Sequence, residues 1–324
     1  MKAVPTLIWA LSATLLAGSM VAAAPAAVPF LDSAAAGASD GASTEKSSSN
    51  AATTVAAASG VPERKGDGVT RFNPRTDANS DVLTEKQADA REQKRTGKIA
   101  VGVYVDKGAG PSANNLLRVL GKFDQVSVTK LTAEQIRSGG LAGLDILMHP
   151  GGSGGEQGRN LDEPGREKIR GFVREGGGFI GICAGAYLAS AHYPWSLNIL
   201  DAKVLDTKHW NRGTGTVDIE LTSKGRETLR TTNQKLPIHY AQGPLLAPAN
   251  RPDIEDYEEM ATFKTEIAKN GAPKGVMIGT TAIARGRFGQ GRVICFSPHP
   301  EMTAGLEAFV QDAIDYVTRK RASQ

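Results

Sequence analysis

Cysteine is scarce in this chain of 324 residues, which holds only Cys183 and Cys295 together with five histidines. Neither a C-x-x-C nor an H-E-x-x-H spacing occurs, which leaves a structural zinc or metalloprotease site without support, and no metal or cofactor is expected. A dominant charge is also missing. Lys and Arg number 38 against 34 Asp and Glu, a net charge of +4, and the densest basic runs are short ones at Arg91 to Lys98 and Arg319 to Arg321. Scattered charge of this kind is a solvated surface, so no nucleic acid partner is expected. Aromatic residues make up 6% of the chain and are almost absent between Pro25 and Thr96. That stretch of Ala, Ser, Gly, Thr, Asp and Lys cannot bury enough apolar surface to offset its conformational entropy, and residues 25–97 are expected to be a disordered linker. The one long apolar run, Leu7 to Val21, follows Lys2 and precedes the small-residue site Ala22-Ala23-Ala24. Residues 1–24 therefore read as a secretory signal peptide, with a retained membrane anchor as the alternative, because the run is of marginal length for spanning a bilayer. Ser19 stands where a lipoprotein signal would require cysteine. The expected location is periplasmic or extracellular, with the linker setting a distance from a membrane or wall.

From Lys98 onward the pattern changes to alternating strands and helices. Ile99 to Val105 predicts a strand, Ser112 to Phe123 a helix, Val126 to Leu131 a strand and Thr132 to Arg137 a short capped helix. Leu144 to Met148 predicts a third strand running into the loop Pro150 to Gly155, and Glu163 to Glu175 a helix closed by glycines. Such alternation implies an α/β fold with a doubly wound, mainly parallel sheet whose ligands bind beyond the carboxyl ends of its strands. Between Ile199 and Ile283, short alternating runs such as Thr216 to Leu221 indicate a small antiparallel excursion. A hairpin over Ile283 to Ser297 and a terminal amphipathic helix carrying Leu306, Phe309, Val310, Ile314 and Val317 complete the chain.

Chemistry concentrates on Gly178-Phe179-Ile180-Gly181-Ile182-Cys183-Ala184-Gly185. An apolar strand here meets a cysteine set between glycines that permit a sharp turn and close packing, the pattern of a nucleophile elbow. A thiol so placed sits at a helix N-terminus, which favours thiolate, and the N–H of Ala184 points where an oxyanion would form. The elbow alone leaves a buried structural cysteine as an open alternative. A nucleophile needs a base, and the base needs a group to fix its tautomer. His299 and Glu301 supply the pair: in an extended segment residues at i and i+2 share a side, and Pro300 between them discourages a helix. His299 also follows a strand, so it can lie at the same sheet edge as Cys183. Cys295, among Val293, Ile294 and Phe296, reads as core, and a Cys183–Cys295 disulfide is disfavoured because Cys295 lies about 13 Å along a strand from His299. His149, His192 and His239 have no partners visible in the sequence and read as structural.

Taken in order, Pro150-Gly151-Gly152, Gly181-Ile182-Cys183-Ala184-Gly185 and His299-Pro300-Glu301 resemble the class I glutamine amidotransferase superfamily over residues 98–324. The resemblance implies a flavodoxin-like fold, a triad of Cys183, His299 and Glu301, and an oxyanion hole from the backbone N–H groups of Ala184 and the Gly152-Ser153 region. Gly-Ile-Cys-Ala-Gly-Ala-Tyr-Leu-Ala, His209-Trp210-Asn211-Arg212-Gly213 and Tyr240-Ala241-Gln242-Gly243-Pro244 more narrowly resemble the biotin-protein ligase N-terminal domain family. Departures bear on substrate. Tyr187 stands where glutaminase domains usually carry Gln, and the remainder reads as leader and linker, so no domain is expected to accept ammonia. Ala184 stands where protease-like relatives usually place His. Arg285-Gly286-Arg287 is faintly similar to the ligases' glycine-arginine loop but leads a hairpin into the His299 strand, and biotin ligation is not expected. His209, Trp210 and Arg212 form a glycine-bounded loop suited to a carboxylate or amide, with a core-anchoring Trp210 as the alternative; Tyr240 and Gln242, with Tyr187, could line the same pocket or shape a turn. The expected function is an exported thiol-dependent amidase or hydrolase of a small amide or peptide. A non-catalytic ligand-binding module is the alternative.

Overall fold

A computed structural model describes residues 97–318. The expected leader and all but the last residue of the expected linker lie outside them. Order begins with β1 (Ile99–Tyr104), α1 (Ser112–Leu120), β2 (Val126–Leu131), α2 (Ala133–Arg137), β3 (Ile146–His149), α3 (Gly154–Arg174), β4 (Gly178–Ile182) and α4 (Ala184–Ala189). Thr132 caps α2 in the manner its sequence indicates: its side chain accepts from the N–H of Gln135 while the Gln135 side chain accepts from the N–H of Thr132. Then come β5 (Ala202–Leu205), β6 (Thr214–Leu221), α5 (Ser223–Thr228), β7 (Lys235–Ala241), β8 (Leu245–Pro248), β9 (Glu258–Phe263), β10 (Thr281–Phe288), β11 (Gly291–Phe296) and α6 (Ala308–Thr318).

All these strands belong to one mixed sheet, ordered β2-β1-β3-β4-β11-β10-β9-β6-β7, with β8 joining β10 and β5 joining β8. Its first five strands are parallel, and β11 closes them by pairing with β4. From β10 outward every pairing is antiparallel. The segment expected to form a small excursion is therefore the other half of the same sheet, because β10 pairs with both β11 and β9. Alternation of side chains sends Ile146, Met148, Ile180, Ile182, Ile294 and Phe296 to one face, where α1 and α6 contribute Leu116, Val119, Phe309 and Ile314. Leu147, Phe179, Val293 and Cys295 go to the other, under Ile136 of α2 and Leu161, Ile169 and Phe172 of α3. Helices thus cover both faces of the parallel half, whose inner strands β3, β4 and β11 are buried on both sides as their apolar runs require, while the edge strand β2 is largely exposed.

Helix α3 begins nine residues before the stretch expected to be helical, at Gly154 rather than Glu163. It is two helical pieces joined at Asp162, whose φ of 55° and ψ of 177° break the ladder just before Pro164. The first piece is rich in glycine for a packing reason. A Cβ at Gly158 would stand 2.4 Å from the carbonyl oxygen of Trp195. Among the described residues, no helix is long and apolar enough to cross a membrane.

Candidate functional site

Strands β3, β4 and β11 are adjacent and parallel, so whatever follows them arrives at one edge of the sheet. Gly151 and Gly152 follow β3, Cys183 follows β4, and His299 follows β11. Cys183 adopts φ 53° and ψ −100°, a left-handed conformation that costs a non-glycine residue about 1–3 kcal/mol. The turn is held from both sides. The Cys183 N–H donates to the carbonyl of Phe296 at 2.7 Å, and its own carbonyl accepts from Ala186 and Tyr187. Both glycines of the elbow are sterically required: a Cβ at Gly181 would meet the Gly185 carbonyl oxygen at 2.5 Å, and one at Gly185 would meet that of His149 at 2.2 Å. Helix α4 is only six residues long, so its dipole is a lesser source of thiolate stabilisation than the sequence leads one to expect.

His299 and Glu301 are almost wholly buried, and the Nδ1 of His299 lies 2.7 Å from Oε1 of Glu301. The segment is not the extended one expected from Pro300. Pro300–Met302 is a turn of 3-10 helix with the proline at its first position, where a missing N–H costs nothing, and the turn brings the two side chains together. A Cβ at Gly151 would stand 2.7 Å from Cε1 of His299 and 3.5 Å from Cβ of Cys183, so the thiol and the imidazole converge over this glycine. Burial works against charge on His299, but the negative charge of Cys183, its hydrogen bond and the Glu301 carboxylate outweigh it, raising the imidazole to about 10. The opposite ring nitrogen, Nε2, has no hydrogen-bond partner of standard geometry among the described residues.

Of the expected oxyanion donors, Ser153 is excluded: its N–H is already donated to the carbonyl of Gly108 at 2.8 Å. Among the described residues no such bond engages the N–H of Ala184 or of Gly152, and Gly152 holds a φ of 140° with Gly108 so near that only glycine fits. Ala184 directly follows Cys183, and Gly152 follows Gly151, over which the thiol and the imidazole converge.

The loop before β6 is arranged differently from its sequence reading. Trp210, read as a substrate-binding residue with a core anchor as the alternative, is 55% exposed, while Arg212 is 2% exposed. Asp206, in a left-handed turn, holds both neighbours: Oδ2 accepts from Arg212 Nη2 at 2.8 Å and Oδ1 lies 2.6 Å from His209 Nδ1. Burial would raise the Asp206 carboxyl, but the bonds from His209 and Arg212 prevail and hold it low. Asn211 bonds the side chain of Gln242, fastening the loop to the end of β7. That strand end faces Cys183: the thiol donates to the carbonyl of Ala241 at 3.4 Å and the Tyr187 hydroxyl to that of Gln242 at 3.2 Å. Tyr240 is fully buried and donates to Gly243 at 2.8 Å. Tyr187, Arg212, Tyr240, Gln242 and, through Asp206, His209 therefore gather at the Cys183 edge. Trp210 does not.

Three further residues belong to this edge without a signal in the sequence. Asp206 has none beyond its spacing of three from His209 and six from Arg212. His239 is not merely structural, for its ring lies 5.9 Å from that of His299 and its carbonyl accepts the His299 N–H at 2.8 Å. Ser112 sits at the same glycine as the thiol and imidazole, 2.7 Å from where a Gly151 Cβ would be. His149, by contrast, is a core histidine, stacked between Tyr104 and Phe179 and bonded to Gln157 at 2.9 Å. Both cysteines are free, and burial drives the Cys295 thiol far up. A separate cleft of about 330 Å³, lined by Lys224, Glu258, Arg285, Arg287 and Arg292 among others, lies at the opposite end of β11. Five residues of strand separate it from the Cys183 edge, about 16 Å. Arg285 in that cleft is tied to Glu258 and Thr228, and Arg285-Gly286-Arg287 is part of β10.

Fold and site together define a mixed α/β protein with a cysteine elbow facing a His–Glu pair across one sheet edge. Residues 99–322 match the family described as biotin-protein ligase, N terminal, and the chain belongs to that family. No curated protein matches the sequence. Among solved structures, the chain is similar to the PurLQS structure from Thermotoga maritima at 16% identity and a TM-score of 0.49, covering 68% of this chain and 99% of that one. A glutamine amidotransferase from the same organism follows at 14% identity and a TM-score of 0.43, covering 67% and 83%. A β-galactosidase from Bacillus circulans sp. alkalophilus shows 13% identity and a TM-score of 0.42, covering 69% and 31%.

Proposed function

We propose that this protein is an exported thiol-dependent amidase with Cys183 as nucleophile, His299 as acid and base, and Glu301 as the residue that positions the imidazole. The observation that carries the reading is the convergence of Cys183 and His299 over Gly151, with Glu301 bonded to the far side of the ring. The leader-like residues 1–24 support export, and helices on both sheet faces support a doubly wound, flavodoxin-like parentage within the amidotransferase-like superfamily.

In the reaction, the Cys183 thiolate adds to the amide carbonyl, and the N–H groups of Gly152 and Ala184 stabilise the resulting oxyanion. His299 passes its Nε2 proton to the amine nitrogen as the C–N bond breaks, leaving a thioester. A water molecule, giving a proton to His299, then adds to the thioester and releases the carboxylic acid and the thiolate. Raised to about 10, His299 is held in the protonated form that the first step needs. Tyr187, at the position where a glutaminase would carry Gln, argues for an amide other than glutamine.

Alkylation of Cys183 by iodoacetamide near neutral pH tests the reading. Cys183 is expected to react faster than Cys295, and His299→Ala to slow it about 100-fold. A rate no greater than that of an ordinary exposed thiol, unchanged in the His variant, would leave a ligand-binding module as the function.

A further inference from the structure

Arginine is seldom buried unless fully paired, and Arg212 is buried but only half paired. Asp206 takes one end of its guanidinium, Nη2; the other, Nη1, is enclosed without a hydrogen-bond partner of standard geometry among the described residues. A buried cationic N–H left unbonded costs more than an ordinary hydrogen bond returns, so its retention calls for a ligand that completes it. Position says which. Arg212 lies next to the β6–β7 ladder, whose first register pair is Thr214 with Ala241, and Ala241 is the residue whose carbonyl touches the Cys183 thiol. The charge of Arg212 reaches both Tyr187 and Tyr240, each of which also feels Cys183, and its guanidinium makes a further, weaker hydrogen-bonding contact with the Tyr240 hydroxyl. Arginine presents a planar fork suited to a carboxylate, and with Nη2 committed to Asp206 the free Nη1 accommodates a single carboxylate oxygen.

We propose that Arg212 is the substrate-recognition residue of the Cys183 pocket, and that the amide it admits carries a carboxylate close to the bond that is cleaved. Asp206 holds the guanidinium in place and offsets part of its charge, so a neutral amide gains nothing from the site while an anionic one completes it. This rests on the reading of Cys183 as a reactive thiol.

Two alkylating agents of one shape and different charge separate the possibilities, since each forms the same S–C bond with loss of iodide. The iodoacetate to iodoacetamide rate ratio at Cys183, followed by mass spectrometry of the full chain, is expected to exceed that of N-acetylcysteine about tenfold. Arg212→Gln is expected to lower the ratio about tenfold. Asp206→Asn, which removes the competing carboxylate, is expected to raise it. His299 is present in all three proteins, so its charge cancels from the comparison among them, which is the one that isolates Arg212. A wild-type ratio equal to that of the free thiol would overturn the proposal, as would a ratio unmoved in Arg212→Gln. Should Arg212→Gln not fold, an unchanged or lower ratio in Asp206→Asn is the overturning result. Failure of the nucleophile itself shows elsewhere, as a slow iodoacetamide reaction insensitive to His299→Ala.

Discussion

His299 carries the pH behaviour of the site. Burial alone would depress it, and it rises to about 10 because of the charge and hydrogen bond of Cys183 and the charge of Glu301. A histidine raised above its unfolded value of about 6.5 contributes stability that is complete below that pH and is lost as pH climbs through about 10. In Glu301→Gln the ring loses one negative neighbour, and its titration midpoint, read by NMR of the histidine side chain, is expected to fall by about 1 unit or more. Tm should then decline at a correspondingly lower pH. An unchanged midpoint would mean that Glu301 does not act through the imidazole. At this scale Cys183, His299 and Glu301 were legible because each rides on a strand end punctuated by glycine or proline. The Asp206–Arg212 pair was not, because burial of an arginine is decided by what folds over it, and the sequence offers Trp210 as the more obvious anchor.

Elements meet at this site with almost no clearance. Strand β4, helix α4 and the end of β3 approach so closely at Gly185 that a methyl group there would stand 2.2 Å from a backbone oxygen that has nowhere to go. Gly185→Ala is expected to destabilise the protein by about 3 kcal/mol and to abolish Cys183 reactivity, as measured by denaturant unfolding and alkylation. Gly171, within α3 and with nothing near its missing Cβ, is the control: Gly171→Ala should stabilise by about 0.5–1 kcal/mol. Equal effects at the two positions would refute the close-approach explanation. The parallel strands and the capped α2 could be read from periodicity and from Thr132. The first half of α3 could not, since Gly154, Gly155 and Gly158 carry a loop signature and become helical only by packing on Trp195.

Over the whole molecule, His149 is a buried group outside the proposed site that bears on acid stability. Burial lowers it to about 4, with Gln157 opposing weakly. The native state therefore holds the neutral ring, and stability present above about pH 6.5 is lost as pH falls toward 4, amounting to about 3 kcal/mol. His149→Asn forfeits the stacking with Tyr104 and Phe179 and should start less stable, yet show a flatter decline between those pH values in urea titrations. A slope equal to wild type would place the acid sensitivity elsewhere. What the sequence could not show at this scale is that its two halves share one sheet. The partner of a strand is fixed by three-dimensional pairing, and β11 joins its hairpin neighbour β10 on one side and, across more than a hundred residues, β4 on the other.

That shared sheet separates two tasks along the chain. The proposed nucleophile and its base follow parallel strands, locked by glycines that tolerate no substitution, whereas the Asp206 to Gly213 loop stands outside the ladder and leans on the antiparallel half. On the proposed function, recognition can therefore drift while reactivity stays fixed: a descendant could exchange residues of that loop for others, and so its choice of amide, without disturbing the turn that presents the sulfur.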